Sequence, residues 1–294
     1  MSDRAGTANT PMRAHGGADH HESFLVYRKF KWLKIAALLS LVCFIAYLVH
    51  QPKDIPNGGT WLGYTLGGTG AALIVWLTWF GYRKRAYSSG AGRVQAWLSA
   101  HVYLGLALVV VATLHSGFRF AWNIHTFTYC LVLIVVASGI FGVFTYARYP
   151  SLMTANRRGL TTAQMMANIG AIDAELRTAA SSLGDKLAAL VVKATQETKV
   201  GGGVWEQLRG RPRYCGTDEA ARELQTVLRQ DLGAEEHEAR KLMVLLTRKS
   251  QMLAQMRRDI QYKAMMDIWL YVHVPLAIAL VVALATHVFA VFFY

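Results

Sequence analysis

The stretch His101-VYLGLALVVVATL-His115 is apolar throughout and carries a histidine at each end. A second stretch near the C-terminus, His273-VPLAIALVVALAT-His287, repeats this pattern. The two histidines of each stretch are 14 positions apart. That spacing is four helical turns less about 40°, which places each pair near one face of a helix, about 21 Å apart along its axis. Because polar groups in apolar helices rarely face lipid, the four imidazoles are expected to point at one another across a helical bundle.

Two stacked bis-histidine sites follow from this arrangement, and each is suited to a haem whose iron takes an imidazole on both axial positions. A single histidine in a membrane helix is more often a packing residue or a proton relay than a ligand. Identical spacing on two helices favours ligation. The sequence therefore predicts two b haems, with His101 and His273 as the ligands at one depth and His115 and His287 at the other.

Composition places the chain in a membrane. Hydrophobic residues make up 53% of its 294 residues and occur in long blocks, which excludes an ordinary soluble protein. The net charge of +13 comes from basic residues beside the apolar blocks, as expected of a topogenic signal, so nucleic acid is not expected as a partner. The three cysteines form no CxxC or CxxCH motif, which argues against iron–sulfur clusters and covalently attached haem.

The predicted fold is an all-α transmembrane bundle of five spans with a helical cytoplasmic insertion. A polar tail covers residues 1–31, spans one to four lie within 32–148, the insertion covers 149–262, and span five covers 263–294. The individual spans are predicted at about 32–50, 61–82, 95–118, 125–146 and 264–294. Basic residues before span one and after span two place the N-terminus in the cytoplasm and the C-terminus outside the plasma (inner) membrane. Spans three and five are then parallel, as the histidine pairing requires.

Small residues and a proline give further predictions for the spans. Glycines in the first half of span two suit either close helix packing or the approach of a flat macrocycle, and both interpretations stay open. Gly139 and Gly142 are spaced for close packing of span four, which Arg148 and Pro150 are predicted to end.

The insertion contains helical signals. Thr161 and Gln164 form a capping-box pattern that predicts a helix to about residue 183, and a second helix is predicted at 185–198. The three glycines at 201–203 and the GRPRYCG stretch interrupt the pattern, and helical composition resumes near residue 218. An apolar stripe then continues directly into span five; its members are Leu242, Leu245, Leu246, Met252, Leu253, Met256 and Ile260. The region is either a helical hairpin that packs on itself or a docking platform for a cytoplasmic partner.

The four histidines and their spans resemble the membrane dihaem b-type cytochromes, a class that includes respiratory cytochrome b subunits and ferric-reductase-like transmembrane domains. The resemblance covers the spans and not residues 149–262. It implies that spans three and five carry the ligands. Arg93 and Arg119 lie near the ends of span three, where each is either a partner for a haem propionate or a topogenic charge. No flavin- or nicotinamide-binding domain follows span five, which favours an electron-transfer subunit over a stand-alone enzyme.

Bis-histidine ligation leaves no open position on iron, which favours electron transfer over oxygen chemistry. Two haems about 20 Å apart along the helix axes would span most of a hydrocarbon core of about 30 Å. The expected function is transmembrane electron transfer as the cytochrome b subunit of a redox complex, with quinone and other redox subunits as partners. His50, His125 and Asp267 are titratable groups near the interfaces, where each is either part of a proton-coupled step or an ordinary interfacial polar residue. The alternatives are a self-contained ferric-reductase-like oxidoreductase and a haem-free, histidine-based transporter.

Overall fold

The computed structural model describes residues 24–50, 58–85, 91–181, 184–229 and 236–293, and the regular structure within these ranges is helical. This confirms the all-α prediction; most of the predicted polar tail lies outside the described residues. A 3-10 turn at Phe24–Val26 leads into the first helix. The helices are α1 Tyr27–Val49, α2 Trp61–Arg85, α3 Ala91–Ser116, α4 Ile124–Arg157, α5 Thr162–Ala180, α6 Asp185–Gln196, α7 Val204–Arg209, α8 Gly216–Val227 and α9 Glu236–Phe293.

Four helices among the described residues are long and apolar enough to cross a membrane, and they are α1, α3, α4 and α9. Helix α2 has 25 residues, which gives it a length of about 37 Å. Glycine and threonine occupy much of its first half, and α2 is not among the helices whose composition is apolar enough to meet the same criterion. The chain therefore has the helices of a membrane protein, and the count of five spans stays a prediction.

The chain forms two compact units, Met1–Leu114 and His115–Tyr294. In the first unit, α1, α2 and α3 pack through two apolar clusters. The buried residues of these clusters are Cys43, Leu62, Leu66, Val111 and Leu114 in one, and Ala36, Tyr103, Leu104 and Ala107 in the other. A Cβ atom at Gly70 of α2 would lie 3.8 Å from Val111 and 3.9 Å from Leu108. This contact supports the helix-packing interpretation at Gly70.

The second unit is organised by α4 and α9, which pack antiparallel. In successive contacts the residue numbers increase along α4 and decrease along α9. The contacting pairs are Thr128 with Ala283, Ser138 with His273, Tyr149 with Tyr262, and Asn156 with Gln255. From the first pair to the last the contact covers 29 residues of each helix, a length of about 42 Å. Spans four and five therefore run in opposite directions, as predicted.

Close approach of these two helices depends on glycine. A Cβ atom at Gly142 would lie 2.1 Å from Trp269 Cζ2, and one at Gly139 would lie 3.6 Å from the His273 ring. The prediction that these glycines allow close packing is confirmed.

The prediction that Pro150 ends span four is wrong, because α4 continues through Pro150 to Arg157. Proline removes one helical hydrogen bond. Contacts with α9 stabilise the added turns: Arg157 Nε and Nη2 donate to the Asp259 carboxylate at 2.9 and 2.6 Å, and Asn156 Nδ2 donates to the Gln255 carbonyl at 2.7 Å.

The insertion packs α5, α6 and α8 against the first half of α9. The capping box of Thr161 and Gln164 is present and begins α5. Helices α5 and α6 end two to three residues before the predicted positions, and the short helix α7 was not predicted between the interruptions. The apolar stripe of α9 faces this core: Leu242, Leu246, Leu253 and Met256 are buried, and Leu245, Met252 and Ile260 are partly buried. The region thus packs on itself, in agreement with the hairpin interpretation.

A lysine occupies one core position of that stripe. Lys249 is 0% exposed. Its Nζ donates to Asp173 Oδ1 at 2.5 Å, to the Ala194 carbonyl at 2.6 Å and to Thr198 Oγ1 at 2.7 Å. These three acceptors match the three protons of an ammonium group, so the buried charge is fully partnered and joins α5 and α6 to α9.

Candidate functional site

His115 and His125 are brought together by the connection between α3 and α4. His115 is the second-last residue of α3, and a left-handed turn follows at Gly117 and Phe118 (φ 57° and 59°). Asn123 caps α4, since its side-chain oxygen accepts from Thr126 N at 3.0 Å. His125 lies in the first turn of α4, and its ring centre is 5.1 Å from that of His115.

His287 of α9 completes a cluster of three imidazoles. Its ring centre lies 4.9 Å from that of His125 and 6.2 Å from that of His115. One ring nitrogen of each residue lies within 4.8 Å of the other two. All three side chains are half-buried, and His287 Nδ1 is buried without a hydrogen-bond partner among the described residues. The structure brings His115 and His287 near each other, and their role as ligands of one haem stays a prediction.

His273 lies 14 residues before His287 on the same helix and is held by α4. Its Nδ1 lies 3.2 Å from Ser138 Oγ, and its ring stacks on Trp269 with centres 5.1 Å apart. Trp269 Nε1 in turn donates to the Ser138 carbonyl at 2.7 Å. A hydrogen bond at Nδ1 fixes the ring orientation of a ligating histidine and leaves Nε2 for a metal. These contacts suit His273 to the ligand role predicted for it.

His101 lies in α3 within the first unit. Its half-buried ring is 5.1 Å from the ring of Phe80 in α2, at an angle of 40°. Its neighbours Ala100 and Ser99 are buried, so this part of α3 packs against other helices of the first unit. His101 and His273 belong to different units, and their pairing stays a prediction.

The structure shows the surroundings of only one of the two arginines predicted near the haem propionates. Arg93 lies in the first turn of α3, with its side chain outside the described part of the chain. Arg119 is exposed in the turn after α3, where its backbone N–H donates to the Ser116 carbonyl at 3.1 Å. A role in propionate binding stays a prediction for both residues.

The geometry of the cluster allows a test of the predicted haem. An imidazole nitrogen binds a metal at about 2 Å and the ring centre lies about 1 Å further, so two imidazoles on opposite sides of one iron have centres about 6 Å apart. The separation of 6.2 Å between His115 and His287 fits that value. The His125 ring lies 5.1 and 4.9 Å from the other two rings, beside the position that an iron between them would take. His115 and His287 would therefore hold a haem only if the His125 ring moved away from that position.

Comparison of the chain with protein families, curated proteins and solved structures found no match.

His125 is the site residue that the histidine spacing did not single out. Sequence reasoning placed it near an interface as a titratable group only. The available signal was its position ten residues after His115. The connection between the two apolar helices is too short to cross a membrane. The end of the first helix and the start of the second must therefore lie on the same side, which places His115 and His125 at one end of the bundle.

Proposed function

We propose that this protein transfers electrons across a membrane through two bis-histidine b haems, as the cytochrome b subunit of a quinone-linked redox complex. The observation that carries the proposal is the separation of 6.2 Å between the rings of His115 and His287, which suits two axial ligands of one iron. The matched spacing of His101 and His273, each 14 positions from one of these residues, supplies the second site.

The roles of the chain's own residues follow from their surroundings. His101 and His273 would hold the haem on the cytoplasmic side, with Ser138 orienting His273 through Nδ1. His115 and His287 would hold the haem on the external side. Bound haem supplies a one-electron iron couple, and two protein ligands leave no iron position for a substrate. The chain therefore acts as a conductor, with other redox subunits or quinone as donor and acceptor.

Helix α2 is proposed as the membrane span predicted at residues 61–82, which brings the number of spans to five. It has no acidic or basic residue between Trp61 and Tyr82, and its length of about 37 Å exceeds a hydrocarbon core of about 30 Å. With α2 in the membrane, the N-terminus and residues 149–262 lie in the cytoplasm and the C-terminus outside the plasma membrane. Protease digestion of intact cells tests this topology, and external cleavage within 149–262 would contradict it.

The decisive experiment is a reduced-minus-oxidised spectrum with haem stoichiometry on the purified full-length protein. Two low-spin b haems per chain are expected. His101→Ala and His273→Ala should each lose or alter the haem on the cytoplasmic side. His115→Ala and His287→Ala should each lose or alter the haem on the external side, because the two pairs of ligands lie at different depths. His237→Ala is the matched control, since His237 is exposed at the start of α9 and should keep both haems. Protein that stays haem-free after expression with adequate haem supply would overturn the proposal.

A further inference from the structure

The three imidazoles of His115, His125 and His287 enclose a position suited to a single metal ion. Their ring centres form a triangle with sides of 6.2, 5.1 and 4.9 Å. One point lies about 3.2 Å from all three centres, which is the distance expected when a metal binds each ring nitrogen at about 2.0–2.1 Å. Nitrogen atoms within 4.8 Å of one another need only small side-chain movements to reach that arrangement.

The chemistry of the donors selects the class of ion. Three neutral imidazoles suit zinc, copper, nickel and ferrous iron, whereas calcium and magnesium require oxygen ligands. Among the described residues the cluster contains only histidine, so it offers imidazole nitrogens and no carboxylate or thiolate. Three histidines leave a fourth position of a tetrahedral ion open to water or another small ligand.

The cluster also has an unmet polar group. His287 Nδ1 is buried and has no hydrogen-bond partner in the described part of the chain. Leaving a buried polar atom without a partner is unfavourable. A bond from this atom to a metal ion would supply that partner.

The helices that carry His125 and His287 are held in place without any ligand. Asn123 caps the helix that carries His125. One turn further along α4, Thr128 Oγ1 lies 3.4 Å from the carbonyl oxygen of Ala283, which is one turn before His287 on α9. The start of α4 is thereby fixed against the helix that supplies the third imidazole.

We propose that His115, His125 and His287 bind one divalent transition-metal ion of the zinc class. The ion uses two of the residues assigned above to a haem, so ion and haem exclude each other at this end of the bundle. Metal binding by the three imidazoles stands without the proposed electron transfer; only the exclusion depends on it.

The first test is cobalt binding to the haem-free full-length protein, expressed without haem supply and purified in detergent through a tag without histidine. Co²⁺ reports imidazole ligation through its visible ligand-field bands, and Zn²⁺ should displace it. We expect one tight site in the wild type. His125→Ala, His115→Ala and His287→Ala should each weaken it by more than the roughly 10–100-fold that loss of a supporting contact causes. The exposed His237→Ala should leave it unchanged. Equal Co²⁺ affinity and stoichiometry in wild type and His125→Ala would overturn the proposal.

The second test separates this proposal from the proposed function. Haem is added to the protein with and without one equivalent of Zn²⁺, and haem per chain is counted. Zn²⁺ should reduce the wild-type count by one and leave His125→Ala unaffected. A chain that binds Co²⁺ at the three histidines but never binds haem would sink electron transfer and leave the metal site standing. Haem binding without any histidine-dependent Co²⁺ site would sink the metal site and leave electron transfer standing.

Discussion

The indole of Trp269 fills the space that a side chain at Gly142 would need, since a Cβ atom there would lie 2.1 Å from Cζ2. The indole cannot easily move away, because its Nε1 donates to the Ser138 carbonyl at 2.7 Å. The absence of a side chain at Gly142 therefore makes room for the Trp269 indole between α4 and α9.

Gly142→Ala is expected to destabilise the protein by about 1–3 kcal/mol through overpacking, although alanine favours helices by about 1 kcal/mol over glycine. Thermal unfolding in detergent, followed by circular dichroism, measures the change. Gly105→Ala in α3 is the control, because a Cβ there meets no atom of the described residues within 4 Å. Equal melting temperatures for the two variants would show that the indole moves freely.

Lys249→Met is expected to destabilise the insertion by about 3–5 kcal/mol, as is typical when one partner of a buried ion pair is removed. Asp173 and the Ala194 carbonyl would each lose their charged donor. Hydrogen exchange over α5 and α6 should accelerate accordingly. The control is Lys241→Met, which removes an exposed pair with Glu238 and should cost less than about 1 kcal/mol. Unchanged exchange in Lys249→Met would contradict this account.

Arg157→Ala is expected to release the turns of α4 beyond Pro150. The guanidinium makes two hydrogen bonds to Asp259, whose side chain is only 8% exposed. Hydrogen bonds to charged groups contribute about 1.5–3 kcal/mol. Hydrogen exchange at residues 150–157 should rise while residues 124–145 stay protected. Arg240→Ala, which breaks an exposed pair with Glu236, should change neither segment, and protection of residues 150–157 in Arg157→Ala would refute the role of the ion pair.

Ser138→Ala tests the orientation of His273. Loss of the 3.2 Å contact to Nδ1 removes the group that orients the ring, and loss of such a supporting contact weakens metal ligation by about 10–100-fold. Haem titration should show weaker binding at the His101 and His273 site alone. Thr286→Ala is the control, because Thr286 is exposed and its hydroxyl bonds only within α9, to Val282. Loss of both haems from Ser138→Ala would instead indicate general unfolding.

Local signals predicted much of the fold. The capping box at Thr161 and Gln164, the start of α6 at Asp185 and the stripe that joins the insertion to α9 all depend on residues close in sequence, and the structure has each of them. The glycines of α4 were also interpreted correctly, because small residues at regular spacing in an apolar helix indicate close packing.

The wrong prediction at Pro150 and the roles missed at Lys249 and His125 concern residues whose role depends on a distant partner. Pro150 normally ends a helix, and only the contacts of α4 with α9 allow it to continue. Lys249 interrupts an apolar stripe in the sequence, and its place in the core depends on Asp173, 76 positions away. His125 has no partner at helical spacing, and its role appears only when α9 brings His287 beside it.

Helix α9 belongs to two environments at once. Its first half closes the core of the insertion through Leu242 and Leu246, and the same 58-residue helix continues to His287 and beyond. One continuous helix therefore joins the core of the insertion to the segment that carries His273 and His287. Because a helix is a rigid connection, a rotation or shift of the insertion core would be carried to these two histidines.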